Sequence, residues 1–128
     1  MENQIYCKIR RKYVALTPEE EVRQHTVFLL SEEFGYPLTR FSLEAQIQVG
    51  QLQKRYDIVI YDSERKPFML AECKAPNVNI TEKTIQQATT YNITLQAKYI
   101  LLTNGATTVL FRKTKSGYIQ QKTIPVLK

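Results

Sequence analysis

The chain is poor in the residues on which most metal and redox sites are built. It has one histidine, His25, and two cysteines, Cys7 and Cys73, with no CxxC spacing between them. Neither a disulfide framework nor a zinc site is indicated. Histidine-based catalysis would rest on His25 alone, which is expected toward the side of the first helix and in solvent. The longest apolar runs are strand-sized pieces such as Tyr99 to Leu102, far below the roughly 20 residues of a membrane span. Met1-Glu-Asn-Gln opens nothing like a signal peptide. No repeat, low-complexity tract or Gly/Ser linker divides the chain, and no G-x-x-x-x-G-K-[ST] phosphate loop is present, so ATP-driven translocation is not available to it. The expectation is one soluble, cytoplasmic domain over residues 1–128, with no membrane contact.

What is present is clustered positive charge. The formal net charge of +6 comes from Lys8, Arg10, Arg11 and Lys12, from Lys54 and Arg55, from Arg65 and Lys66, and from Arg112, Lys113 and Lys115. Such clusters favour an anionic partner, most commonly nucleic acid, because each neutralised phosphate releases counterion. A merely solvated surface is the competing reading.

Thr17-Pro-Glu-Glu20 reads as a helix start, with Thr17 at the N-cap, Pro18 at the first position and Glu20 closing a capping box. That helix is expected to reach about Phe34 and stop at Gly35. Leu43, Ala45, Ile47 and Val49 alternate with polar residues as a half-buried strand, and Gly50 marks a turn. Tyr56 to Tyr61 and Phe68 to Lys74, apolar on both faces, read as central strands covered by helices. Asn79 with Glu82 is expected to cap a second helix to about Leu95. Lys98 to Thr103 follows as a strand, then Thr107 to Arg112 and Tyr118 to Ile124 as a terminal hairpin. The order gives an α/β sandwich with a mixed sheet.

Asp57, Glu72 and Lys74 stand at the ends of these apolar segments, where core packing asks for no charge. Side chains alternate along a strand, so Glu72 and Lys74 share a side with Phe68 and Leu70 while Cys73 faces away. Asp57 is placed on a face with Arg55 and Val59. If the two strands pair, Asp57 and Glu72 converge at one sheet end as hard oxygen ligands for Mg²⁺, which takes one or two carboxylates, retained waters and substrate phosphate oxygens. Such a metal polarises a phosphodiester and acidifies its water, and Lys74 orients that water or offsets charge on the phosphorane. The competing reading is a strand-end ion pair between Glu72 and Lys74. On the first helix, Glu19 falls on the stripe of Val22, Thr26, Leu29 and Leu30, with Glu20 and Glu21 to the sides. Glu19 either complements the helix dipole or adds a third acid to the metal site, and Arg23 pairs with it or approaches a phosphate. Gln87 and Tyr91, four apart on the second helix, offer an amide and a phenol to phosphate, base edge or carboxylate; taken alone they read more simply as a tyrosine packed at the sheet boundary and a solvated glutamine.

Thr17-Pro-Glu-Glu-Glu-Val-Arg-Gln24, Gly35-Tyr36, Lys54-Arg-Tyr-Asp-Ile-Val59, Ala71-Glu-Cys-Lys-Ala-Pro76, Gln87-Ala-Thr-Thr-Tyr91 and Leu102-Thr-Asn-Gly105 together resemble the PD-(D/E)xK nuclease superfamily. Within it they are similar to the N-terminal nuclease domain of type I restriction enzyme R proteins and its stand-alone relatives. The resemblance implies a restriction-endonuclease-like αβββαβ core and Mg²⁺-dependent hydrolysis of DNA, with Mn²⁺ as a substitute. It implies Asp57, Glu72 and the Cys73 backbone carbonyl as metal ligands, Lys74 as the catalytic lysine, Glu19 as the first-helix acid, and Gln87 and Tyr91 as a QxxxY element. Arg23, Lys54 and Arg55 are the candidate DNA contacts. Tyr56 stands where the superfamily name has Pro, a position that performs no chemistry. The motor of full R proteins is absent, so a separate motor or specificity subunit is an expected partner. Cutting both strands takes two sites or sequential nicks, which leaves a homodimer open. The alternative is a catalytically silent DNA-binding or assembly module of the same fold, or a small interaction domain.

Overall fold

The structure, a computed structural model, describes residues 3–49 and 51–128, apart from the side chains of Ile47, Val49, Leu52 and Lys54. A hairpin of β1 (Gln4–Cys7) and β2 (Lys12–Ala15) precedes α1 (Pro18–Phe28). Then come β3 (Phe41–Val49), β4 (Leu52–Tyr61), β5 (Pro67–Cys73), α2 (Glu82–Leu95), β6 (Tyr99–Thr103), β7 (Thr108–Lys113) and β8 (Tyr118–Gln121). The strands β3 to β8 form one six-stranded sheet in chain order. Among the described residues only β5 and β6 run parallel, and α2 is the crossover that a parallel pair requires. The mixed sheet, the helices and the C-terminal hairpin are as expected from sequence, and β7 and β8 extend the main sheet. The β1–β2 hairpin is not anticipated, because its residues read only as a basic cluster. The turn expected at Gly50 lies outside the described residues.

Helix α1 starts as expected at Thr17, whose hydroxyl accepts the Glu20 N–H at 3.1 Å, with Pro18 following. The reciprocal half of the capping box does not form, because the Glu20 carboxylate is held by Arg10, Arg23 and Gln24. The helix runs into a π-helical turn at Leu29–Glu33, and the chain reverses at Gly35, whose φ of +73° suits a residue without Cβ. Helix α2 is capped two residues later than expected: Thr81 is the N-cap, and the hydroxyls of Thr81 and Thr84 each accept the other residue's N–H.

The α1 face of the sheet buries Ile58, Ile60, Met69, Ala71, Cys73 and Leu101 against Val22, Val27, Leu30 and Tyr36. On the α2 face, Val59 and Leu70 pack with Tyr56, Tyr91 and Leu95, and Ile100 and Leu102 with Ala88 and Ile85. The two-sided burial of β5 and β6 explains their unbroken apolar runs. Phe68 was expected with Leu70 but packs with Tyr36 and Tyr99. Among the described residues no helix is long and apolar enough to cross a membrane.

Candidate active site

Asp57, midway along β4, comes together with Glu72, the next-to-last residue of β5. The ladder pairs Ile58 with Ala71 and Val59 with Leu70, so continuing it one step sets Asp57 opposite Glu72. Their surroundings differ. Asp57 is directed to α1, where its Oδ1 accepts from Arg23 Nη2 at 3.1 Å, while its Oδ2 accepts the Cys73 backbone N–H at 2.7 Å. It therefore does not share its surroundings with Val59, which packs on the α2 side. The alternation of faces breaks in β4 here, with Asp57 and Ile58 both on the α1 side, next to the point on β3 where Glu44 adopts φ +55° between Leu43, partner of Ile58, and Ala45, partner of Tyr56. A left-handed residue inside a strand interrupts the alternation of faces, and Tyr56 turns to α2, its hydroxyl donating to the Tyr91 carbonyl at 3.1 Å.

Glu72 is 9% exposed, and its Oε1 has no hydrogen-bond partner among the described residues. Burial first, then the adjacent Asp57 carboxylate, push its pKa up to about 9, against the pull of Lys74 and Arg23. Two close carboxylates stay together only with a proton or a cation between them. Beside Glu72 lies a small cavity of about 20 Å³, lined also by Lys74, Thr84, Gln87, Tyr91 and Leu102, with Gln87 Nε2 donating to Tyr91 Oη at 3.1 Å. Lys74 is half-buried and its N–H donates to Thr103 O at 2.8 Å. A strand residue's N–H and C=O point to the same flank, so the Cys73 carbonyl is directed to the side of Asp57. Burial, with Asp57 adding, raises the Cys73 thiol to about 12, which leaves it no thiolate chemistry near neutrality.

Glu19 is exposed, so it does not lie on the buried stripe where the sequence placed it; the buried acid of the first turn is Glu20. Glu19 remains within electrostatic reach of the site: burial and Asp57 raise its pKa, and Arg23 and Lys74 oppose them. Arg23 pairs with Glu20 and Asp57, and more distantly with Glu44 at 3.9 Å, not with Glu19, and is 6% exposed. Arg55 is exposed on β4, and the Lys54 side chain lies outside the described residues. From sequence, Glu20 reads only as a capping residue and Arg10 only as part of a basic cluster, while Glu44 and Thr84 carry no role; the positions of Glu20 and Thr84 on the first turns of the helices are the signal available. Among the described residues no group of three or more His, Cys, Asp and Glu stands ready for a metal. The donor set that fits is a carboxylate pair and a carbonyl, which suits a hard cation that keeps its waters.

The sequence profile of the family described as type I restriction enzyme R protein N terminus matches residues 18–125. The chain belongs to this family. Its match takes in α1, the carboxylate strands, α2 and the C-terminal hairpin, and leaves out β1 and β2. No curated protein matches the chain. Among solved structures, this member of the R protein N-terminal family is similar to a fragment assigned as the HsdR subunit of a type I restriction enzyme from Vibrio vulnificus YJ016. The two are 20% identical, with a TM-score of 0.63 over 84% of this chain and 23% of that one. It is also similar to a protein assigned as a DUF820 nuclease from Anabaena variabilis ATCC 29413, at 12% identity and TM-score 0.51 over 87% of this chain and 72% of that one. Both likenesses bear on the fold, which is restriction-endonuclease-like. The chain spans under a quarter of the length of the Vibrio vulnificus chain.

Proposed function

We propose that the protein hydrolyses phosphodiester bonds of DNA with Mg²⁺, for which Mn²⁺ can substitute. The observation that carries this reading is Glu72: a carboxylate with a buried, unpartnered Oε1 beside Asp57 is costly to keep unless a cation completes it. Asp57, Glu72 and the Cys73 carbonyl would hold that cation, which supplies Lewis acidity to the phosphodiester. Lys74, at the rim of the same cavity, offsets charge that builds on the phosphate. Glu19 adds a solvent-facing acid able to exchange a proton with water near Asp57. Gln87 and Tyr91, paired with each other, present an amide and a phenol to the substrate, and Arg55 with Lys54 meets the backbone of the duplex. Arg23 is committed to Glu20 and Asp57, so this reading gives it no phosphate. Kinship with the R protein N terminus supports a role beside a separate motor or specificity subunit, and a homodimer would offer one site per strand.

Incubating supercoiled plasmid with the protein and Mg²⁺ or Mn²⁺ tests the proposal. Nicked product is expected from wild type and none from Asp57→Ala or Glu72→Ala. DNA binding that weakens steeply with salt but brings no cleavage would instead make the chain a silent binding or assembly module.

A further inference from the structure

Arg10 lies on the turn between β1 and β2, outside the matched family segment, yet three consecutive ion pairs join it to Asp57. Arg10 Nη2 meets Glu20 Oε2 at 2.6 Å, Glu20 Oε1 meets Arg23 Nη1 at 2.5 Å, and Arg23 Nη2 meets Asp57 Oδ1 at 3.1 Å. The chain is braced from the sides. Arg10 Nη1 reaches Glu44 Oε2 at 2.9 Å, its Nε donates to Cys7 Sγ at 3.3 Å, and Gln24 donates to Glu20 at 3.0 Å. The side chains of Arg10, Glu20 and Arg23 are 12%, 6% and 7% exposed, so the pairing is shielded from water.

Buried ion pairs add little to stability compared with apolar residues of equal volume. A run of them ending on one carboxylate is better explained by orientation: Arg23 and the Cys73 N–H grip opposite oxygens of Asp57 and fix its rotamer. We propose that Arg10 and Arg23 are positioning residues for Asp57, and that the N-terminal hairpin is thereby a working part of the site. Only the metal arm of the test below rests on the proposed function.

The full chain is compared with Arg10→Gln, Arg10→Lys and Asp57→Ala. In metal-free protein the Cys73 amide, seen by ¹H–¹⁵N NMR, reports the Asp57 contact. Arg10→Gln is expected to move that signal in the direction of Asp57→Ala, and Arg10→Lys to restore part of the shift. In calorimetric titration with Mn²⁺ alone, Arg10→Gln is expected to bind up to about tenfold more weakly than wild type, the low end of the effect of removing a direct partner of a metal ligand, because Arg10 acts on Asp57 through Glu20 and Arg23. If Arg10→Gln does not fold by circular dichroism, Glu44→Gln, which weakens the contact to Arg10 Nη1 at 2.9 Å and the longer one to Arg23 Nη1 at 3.9 Å while leaving the three ion pairs intact, takes its place. An unmoved Cys73 amide overturns the proposal, as does a moved amide with Mn²⁺ affinity unchanged. A wild type that binds no Mn²⁺ overturns the metal reading instead and leaves the amide to decide on positioning.

Discussion

Asp57 Oδ2 accepts the backbone N–H of Cys73 at 2.7 Å, so the acid of β4 is fastened to the peptide that follows the acid of β5. This bond holds the two carboxylates in one place whatever lies between them, and Arg23 supplies the charge that makes the arrangement tolerable on the α1 side. Asp57→Asn keeps the acceptor for Cys73 but removes the negative charge facing a buried guanidinium. Breaking a buried pair on one side typically costs about 3–5 kcal/mol; because Arg23 retains Glu20, the lower end applies, about 3 kcal/mol. Urea denaturation in chelator at neutral pH measures it, and an unchanged midpoint would count against the ion pair.

Glu72 gives the metal-free protein a pH dependence with a definite sign. Its pKa is raised in the fold to about 9, whereas an unfolded glutamate titrates near its ordinary value of 4.5. The unfolded chain therefore releases this proton first, and the folded state's advantage is complete below the unfolded pKa and lost as pH rises toward 9. The melting temperature in chelator should fall between about pH 5 and pH 9, and Glu72→Gln, which resembles the protonated acid, should flatten that fall. Parallel slopes for the two proteins would remove the basis for a strained carboxylate. Adding Mg²⁺ at pH 8 should raise the melting temperature of wild type and not of Glu72→Gln.

The carboxylate pair was legible because charge in an apolar, two-sided strand has few structural explanations, and a period of two puts Glu72 and Lys74 together. The same reasoning misplaced Asp57, since the left-handed Glu44 that disturbs β3 carries no residue-type signal. On α1 the choice between Glu19 and Glu20 turned on a rotation of one residue. The buried Glu20 is paired with Arg10, contributed by a hairpin of two four-residue strands too short to show a pattern. Lacking Arg10 as a partner, a buried Glu20 would have been the costlier reading. The α2 start slipped for a different reason: Asn79 with Glu82 satisfies the usual capping rule, whereas the box that forms uses two threonines.

That threonine box makes a prediction about stability alone. Thr81→Ala removes the hydroxyl that accepts the Thr84 N–H and leaves the first turn of α2 uncapped. Loss of an N-cap costs about 1 kcal/mol, or roughly 4 °C in melting temperature for a chain of this size. Differential scanning calorimetry measures it. Thr81 lines none of the cavity at Glu72, so metal binding should persist in the variant.

Lys74 separates chemistry from architecture. Its backbone N–H is already bonded to Thr103 and its side chain is half-exposed, so Lys74→Met should fold with little change in melting temperature. What it removes is a positive charge at the rim of the Glu72 cavity, where negative charge would develop on a phosphate. A preorganised group of that kind is worth on the order of 10²- to 10³-fold in rate. Plasmid nicking by Lys74→Met should fall by about that factor while calorimetric Mn²⁺ affinity stays near that of wild type, because lysine is not among the oxygen donors. Loss of nicking together with loss of metal binding would give Lys74 a structural role at the carboxylate pair. Nicking at the wild-type rate would remove Lys74 from the chemistry of the site.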